Sequence, residues 1–217
     1  MAALGYGAYG SCEEATFSAS TLTLLNRGVV YAIAHVRGGG ELGRQWYEEP
    51  NGAKYLCKKN SFNDFVDVAR WLAHERRLTS PNLMGCVGAS AGGLLIAAVI
   101  NQAPDLFKAA IIDVPFVDVI ATMIDGSLPL TLNEREEWGD PRAEKYFQYM
   151  MEYSPMQNVK KAGYPACLIW GGLHDPRVQY WEPTVSLCFL CYPINGLIRV
   201  AYMACFTLTE ICCYTAT

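Results

Sequence analysis

A serine nucleophile is the first chemistry that this chain predicts. Ser90 lies in the pattern G-x-S-x-G at residues 88–92, between the apolar runs 83–87 and 93–98. This order predicts a strand, a sharp turn and a helix, and the small residues around Ser90 relieve crowding in such a turn. The unpaired N–H groups at the start of the helix favour developing negative charge. The alternative is a small-residue turn that packs a helix on a sheet, with Ser90 as its cap.

Strands and helices alternate around this motif. The β-branched run 29–36 is typical of a strand buried on both faces, and further strands are predicted at 83–87, 109–114 and 166–171. Helices are predicted at 93–102 and 143–152, and another over 62–73, where Ser61–Asp64 resembles a capping box. The alternation indicates the α/β class, with a mostly parallel, doubly wound sheet.

Composition narrows the possible partners. The chain has 217 residues, 52% of them hydrophobic, which suits one sizeable core. Its net charge of -4 gives no reason to expect nucleic acid or an anionic membrane as a partner. The nine cysteines show no repeated zinc spacing, so we expect reduced thiols, no metal and no cofactor. The first residues lack a basic, apolar signal peptide, so a cytoplasmic location is expected.

The character of the chain changes after Pro183. Residues 184–217 contain one Arg, one Glu and five of the nine cysteines, without helical or alternating order. Pro193, Asn195 and Arg199 interrupt the apolar run, so a membrane anchor is the less favoured interpretation. We expect two parts: a partial catalytic domain over 1–183 and an aberrant, cysteine-rich tail over 184–217.

Seven longer motifs occur in order between residues 4 and 183. They are Leu4–Gly10, His35–Gly43, Gly88–Gly93, Val114–Val119, Glu136–Gly139, Tyr153–Pro155 and His174–Pro183. With these motifs the chain resembles the catalytic domain of the prolyl oligopeptidase family of serine peptidases, and within that family oligopeptidase B. The resemblance implies an α/β-hydrolase fold and a β-propeller that screens out large substrates. We expect the hydrolase domain here to be incomplete at both ends, without the propeller.

The resemblance also implies roles for individual residues. Ser90 matches the nucleophile, the N–H of Ala91 matches one arm of an oxyanion hole, and the Tyr6 hydroxyl matches the other arm. Asp175 matches the acid that orients a histidine, and Arg177 matches an arginine that binds the substrate backbone. The alternatives are a turn tyrosine, an Asp-Pro turn and a surface arginine, respectively.

Substrate choice follows from the same resemblance. Glu134 and Glu136 lie where oligopeptidase B has the acids that bind a substrate Arg or Lys, so short peptides cleaved after basic residues are the expected substrates. The alternative is a solvated helix start of mixed charge, since Arg135 lies between them. Glu14 lies near the acids for a second basic residue, but Thr16 stands where one of those acids is common.

The histidines decide whether this chain can turn over substrate. His35, His74 and His174 all precede Asp175, whereas the family base belongs to a loop a few tens of residues after the acid. His174 adjoins Asp175 and on extended backbone would face the opposite side. Loss of one triad member costs on the order of 10⁴–10⁶ in rate. We therefore expect an inactive chain, either a fragment of a peptidase or a non-catalytic relative of one.

Overall fold

Within residues 1–184, 198–204 and 207–213, which the computed structural model describes, seven strands form one sheet. Their spatial order is β2-β1-β3-β4-β5-β6-β7, and every pair is parallel except β6 with β7. The strands in chain order are β1 (Ala2–Leu4), β2 (Tyr31–Ile33), β3 (Gly85–Ala89), β4 (Ala109–Asp113), β5 (Ala166–Gly172), β6 (Ile198–Ala204) and β7 (Thr207–Cys213). The mostly parallel α/β-hydrolase sheet predicted from the sequence is confirmed.

Helices connect the parallel strands. They are α1 (Ala19–Leu25), α2 (Lys59–Arg70), α3 (Ala91–Gln102), α4 (Val119–Ile124), α5 (Thr131–Trp138) and α6 (Glu144–Tyr153). A single π-helical turn, Trp71–Glu75, continues α2. Short 3₁₀ turns lie at Arg44–Trp46, Tyr55–Cys57, Pro81–Leu83, Pro104–Leu106 and Met156–Asn158. Because β1 to β6 pair in parallel, their carboxyl ends lie at one edge of the sheet.

The core lies between the sheet and helices α2 and α3. Helix α3 is buried from Ala91 to Asn101, because it packs on β3 and β4 with one side and on α2 with another. An apolar surface all round is typical of a helix in that position. Gly93 permits the close packing, because a Cβ there would lie 2.7 Å from the Pro115 Cα.

Two local predictions differ from the structure. The strand predicted at 29–36 is reduced to β2, where Tyr31, Ala32 and Ile33 are half-buried and not covered on both faces. The capping box predicted at Ser61–Asp64 lies inside α2, which begins at Lys59. Ser61 is fully buried and its hydroxyl donates to the carbonyls of Gly7 and Arg37, so a tertiary contact and not a helix cap explains this serine.

Part of the tail after Pro183 extends the sheet. Strand β6 pairs with β5, with Leu168 opposite Arg199 and Gly172 opposite Met203, and β7 returns antiparallel to β6. The sequence pattern predicted no strands there. The other tail residues lie outside the described residues, so the division into a domain and a tail stays a prediction. In the described part, no helix is both long and apolar enough to cross a membrane.

Candidate active site

Ser90 occupies the sharp turn between β3 and α3. Its backbone has φ 55° and ψ -116°, a conformation that is strained for any residue except glycine. The turn closes tightly because a Cβ on Gly88 would lie 2.2 Å from the Gly92 carbonyl oxygen. The Ser90 N–H donates to the Asp113 carbonyl at 2.9 Å, which ties the turn to the end of β4. Ser90 is therefore held at the carboxyl edge of the sheet and is half-buried.

Ala91 and Tyr6 lie on either side of this serine. Ala91 is the first residue of α3, and Tyr6 follows β1, the strand next to β3. A Cβ on Gly92 would lie 3.4 Å from the Tyr6 ring, so the ring rests against the elbow. Burial raises the pKa of the Tyr6 hydroxyl, and the nearby Arg177 opposes that rise. Tyr6 therefore keeps its proton at neutral pH and can donate a hydrogen bond.

A buried lysine holds the segment after Tyr6. Lys58 is 2% exposed, and its Nζ donates a hydrogen bond to the Gly7 carbonyl at 2.5 Å. The same Nζ lies 4.8 Å from the centre of the Trp138 ring. Its Nζ is also 4.0 Å from Glu137 Oε1, and burial lowers its pKa to about 8. The sequence analysis missed Lys58. Nothing in the Lys-rich run 54–59 indicated that Lys58 is buried, since lysines are usually exposed.

Asp175 follows β5 at the same edge of the sheet. Its Oδ1 accepts hydrogen bonds from the N–H groups of Arg177 at 2.8 Å and Val178 at 3.1 Å, which fixes the loop after β5. Partial burial and the Asp175 carboxylate raise the pKa of Asp113 at the end of β4, so these two carboxyl groups are neighbours. Strand β4 alone separates β3 from β5, so the strand ends that carry Ser90 and Asp175 are about 10 Å apart.

A cavity opens beside Ser90. It is open to solvent and combines apolar walls with two carboxyl groups and one guanidinium. Its lining comprises Tyr9, Ser90, Ala91, Phe116, Thr122, Met123, Leu128, Pro129, Leu130, Thr131, Glu134, Trp138, Arg177, Val178 and Glu182. An apolar pocket with a few placed polar groups is typical of a binding site for a substrate side chain.

Glu134 points one carboxylate oxygen at two donors. Its Oε2 accepts hydrogen bonds from the Tyr9 hydroxyl at 2.7 Å and from Trp138 Nε1 at 2.9 Å. Burial and the Glu134 carboxylate raise the pKa of Tyr9 far above its ordinary value, so Tyr9 remains a donor. The other oxygen, Oε1, has no hydrogen bond within the described residues. Glu134 and Trp138 are four residues apart on α5, a spacing that places both on one face of the helix.

Glu136 does not join Glu134 in the cavity. Residues that are two apart in a helix point in directions that differ by about 200° around its axis. Glu136 is accordingly exposed and absent from the cavity lining. The predicted pair of Glu134 and Glu136 is therefore not a feature of this pocket. Glu137, which the sequence analysis did not select, is buried and accepts from the Tyr9 N–H and the Tyr47 hydroxyl.

Arg177 and Glu182 also line the cavity. Arg177 is exposed at the cavity mouth, as expected of a residue that binds a substrate backbone. Glu182 is 1% exposed and accepts hydrogen bonds from the N–H groups of Val117 and Asp118 and from the Thr122 hydroxyl. The sequence analysis missed Glu182, because its partners lie some 60 residues earlier in the chain.

None of the three histidines lines the cavity within the described part of the chain. His35 follows β2, at the far side of the sheet from β5, and one ring nitrogen lies 2.8 Å from the Glu13 carbonyl oxygen. His74 lies on the π-helical turn after α2, and His174 is exposed beside Asp175.

Comparison with known proteins decides the family. Residues 15–190 match the Prolyl oligopeptidase family. The chain belongs to the prolyl oligopeptidase family. It is 46% identical over 183 residues to dipeptidyl aminopeptidase BI of Pseudoxanthomonas mexicana, covering 84% of this chain and 25% of that protein. It is 49% identical over 179 residues to protease 2 of Moraxella lacunata, covering 82% of this chain and 25% of that protein.

A solved relative supports the same assignment. Oligopeptidase B from Trypanosoma brucei, in a closed form with covalently bound antipain, is 50% identical with a TM-score of 0.89. The match covers 94% of this chain and 28% of that one. The chain thus has the α/β-hydrolase fold of a prolyl oligopeptidase-type serine peptidase similar to oligopeptidase B. It spans about a quarter of the length of the curated relatives it matches.

Proposed function

We propose that Ser90 is the nucleophile of a serine endopeptidase site of the type that cleaves peptides after basic residues, and that the 217 residues of this chain lack the base that cleavage requires. The observation that carries this proposal is the strained elbow at Ser90, which opens directly onto a cavity containing Glu134. In the reaction, Ser90 Oγ attacks the scissile carbonyl, the amine leaves with a proton, and water then hydrolyses the acyl-serine.

Two donors would stabilise the tetrahedral intermediate. The N–H of Ala91 lies at the first turn of α3, where the helix dipole favours negative charge. The Tyr6 hydroxyl rests against the elbow and stays protonated, since burial raises its pKa. Together these groups form an oxyanion hole from one backbone and one side-chain donor, and an oxyanion gains most from donors that are already in place.

Proton transfer needs a base that this chain does not supply from its three histidines. Asp175 lies two strands from Ser90, a separation that one imidazole between them would span. His174 is next to Asp175 in sequence, but it is exposed to solvent and does not line the cavity. We therefore propose that the 217-residue chain turns over peptides no faster than its Ser90→Ala variant.

Basic substrates fit the charge of the cavity. Glu134 is held by two uncharged donors and is not paired with a cation in the described residues, so a substrate guanidinium would supply its counter-charge. Arg177 at the mouth would bind a substrate carbonyl. Short peptides with Arg or Lys before the cleaved bond are the substrates that we propose.

A second candidate function is peptide binding without cleavage. The retained cavity with Glu134 and Arg177, together with the absence of a histidine after Asp175, favours this function for the chain itself. In that case the site would hold basic peptides but leave them intact.

One paired experiment tests both functions. The purified chain and its Ser90→Ala variant are assayed with an arginyl-amide substrate and labelled with a fluorophosphonate. Equal, background turnover in both proteins supports the non-catalytic chain, and slow labelling confined to Ser90 supports its position as nucleophile. Turnover that depends on Ser90 would show that another base acts, and labelling elsewhere would refute the assignment of Ser90.

A further inference from the structure

We propose that Glu182 is a second specificity-determining acid of the cavity beside Ser90, and that it acts electrostatically on the cationic side chain of the substrate. The proposal rests on the function proposed above. It concerns a residue outside the predicted pair of Glu134 and Glu136.

Glu182 lines the same cavity as Glu134. It comes from the segment after β5, whereas Glu134 comes from α5, and both line the same space. A cation that enters the cavity would therefore be attracted by two carboxyl groups from different elements. Since Glu182 is 1% exposed, its influence on the ligand would be largely electrostatic, in surroundings of low dielectric.

The hydrogen bonds of Glu182 leave its charge uncancelled. Oε2 accepts from the N–H groups of Val117 at 2.5 Å and Asp118 at 3.0 Å, and Oε1 accepts from the Thr122 hydroxyl at 2.6 Å. All three donors are neutral, and within the described residues Glu182 forms no salt bridge. A buried carboxylate without a cation is costly, and burial accordingly raises the pKa of Glu182 to about 7. A bound guanidinium would supply the missing positive charge.

The competing explanation is purely structural. The three hydrogen bonds join the segment after β5 to the start of α4, and such a link could be the whole role of Glu182. The substitution Glu182→Gln distinguishes the two explanations because glutamine has nearly the same shape and can form the same three hydrogen bonds. Its amide oxygen accepts from both N–H groups and its amide nitrogen donates to the Thr122 hydroxyl, while the negative charge is removed.

The test measures binding by the full 217-residue chain, so that it does not depend on turnover. Calorimetry gives the Kd of N-acetyl-arginine amide and of N-acetyl-citrulline amide, an uncharged ligand of nearly the same shape. The ratio of the two Kd values isolates the contribution of charge. We expect Glu182→Gln to reduce the preference for arginine on the order of tenfold and to leave citrulline binding unchanged. Circular dichroism shows whether the variant is folded.

The outcomes distinguish this inference from the proposed function. An unchanged arginine preference in a folded Glu182→Gln chain, together with a loss in Glu134→Gln, would overturn the role of Glu182 and leave the proposed function intact. No arginine preference in the unaltered chain would instead overturn the basic specificity itself.

A second measurement needs no variant. The other charged groups at or beside this space are Glu134, Arg177 and Asp118, and Lys58, whose pKa burial lowers to about 8, lies against the cavity residue Trp138. Burial raises the pKa of Glu182 to about 7, so on going from pH 8 to pH 6 Glu182 loses negative charge while Lys58 gains positive charge, and both changes oppose a bound cation. Between pH 8 and pH 6 the Kd of the arginine ligand should therefore rise up to about tenfold, with that of citrulline constant. An arginine Kd that stays constant over this range would contradict the proposal even if the glutamine variant does not fold.

Discussion

Glu134 and Glu136 have the same charge and nearly the same place in the sequence, yet different surroundings. Glu134 faces the cavity and accepts hydrogen bonds from Tyr9 and Trp138, whereas Glu136 faces solvent. An exposed carboxylate contributes little to binding because water and salt screen it. Substrate preference should therefore depend on Glu134 and hardly at all on Glu136.

The matched variants Glu134→Gln and Glu136→Gln test that difference. Loss of a charged hydrogen bond costs about 1.5–3 kcal/mol, so Glu134→Gln should weaken binding of N-acetyl-arginine amide between about tenfold and a hundredfold. Glu136→Gln should leave it within about twofold. Calorimetry on the two variants gives both values, and equal losses in the two would refute the assignment to Glu134.

The sequence predicts the parts of the site that are local in the chain. Ser90 and Ala91 follow from one short motif, because a strand, a turn and a helix are contiguous there. Tyr6 and Asp175 were selected by resemblance, and the topology brings both to the edge that holds Ser90. Glu182 and Lys58 could not be selected, because their hydrogen-bond partners are more than 50 residues away and nothing in the intervening sequence encodes the pairing.

At the scale of elements, the carboxylate of Glu182 joins the segment after β5 to the start of α4. Burial raises the pKa of this carboxyl group from 4.5 to about 7. Between pH 4.5 and pH 7, Glu182 therefore keeps its proton in the folded chain and releases it in the unfolded chain. The contribution of this group to the free energy of unfolding is therefore lost as pH rises from about 4.5 through 7.

Removing the ionisable group should remove that pH dependence. We expect the free energy of unfolding of Glu182→Gln, relative to the unaltered chain, to increase by as much as about 3 kcal/mol between pH 4.5 and pH 8. Urea denaturation of both chains at the two pH values measures it, and the other titrating groups cancel because both chains share them. A difference that is independent of pH would show that Glu182 titrates normally.

The elbow between β3 and α3 makes a steric prediction. A methyl group at residue 88 would lie 2.2 Å from the Gly92 carbonyl oxygen, whereas one at the exposed Gly163 would meet no atom within 4 Å. Gly88→Ala should destabilise the chain by about 1–3 kcal/mol, and Gly163→Ala should change its stability by less than about 0.5 kcal/mol. Urea denaturation of the two variants checks this, and equal stabilities would contradict the tight turn.

Most elements with long, regular patterns are predicted by the sequence, although the apolar run 29–36 forms a strand only over Tyr31–Ile33. Strands β3, β4 and β5 and helix α3 lie within two residues of their predicted bounds, since apolar runs of five or more residues carry a clear signal. Strand β1 has three residues, too few for a period, and it forms because β2 and β3 pair with it on both sides. Strand β6 likewise takes its place from pairing with β5.

At the scale of the whole molecule, the proposed nucleophile Ser90 lines a cavity that none of the three histidines lines. The carboxyl edge of the sheet brings together Ser90, Tyr6 and Asp175. The three histidines lie elsewhere or face solvent. If the base is the one missing component, a small base from solution should restore part of the reactivity of Ser90.

Imidazole provides that test. We expect added imidazole to accelerate fluorophosphonate labelling of Ser90 on the order of tenfold. A general base held in position accelerates a reaction by more than about tenfold, and a base that is free in solution supplies only part of that acceleration. The acceleration should grow as pH rises through about 6.5, where neutral imidazole becomes the main form. Ser90→Ala should remain unlabelled, and Asp175→Asn should lose most of the acceleration, since the acid orients the ring. Mass spectrometry of the labelled peptide measures the rate and the site. Rapid labelling without imidazole would show that a base is already present, and no acceleration with it would show that Ser90 is not poised for attack.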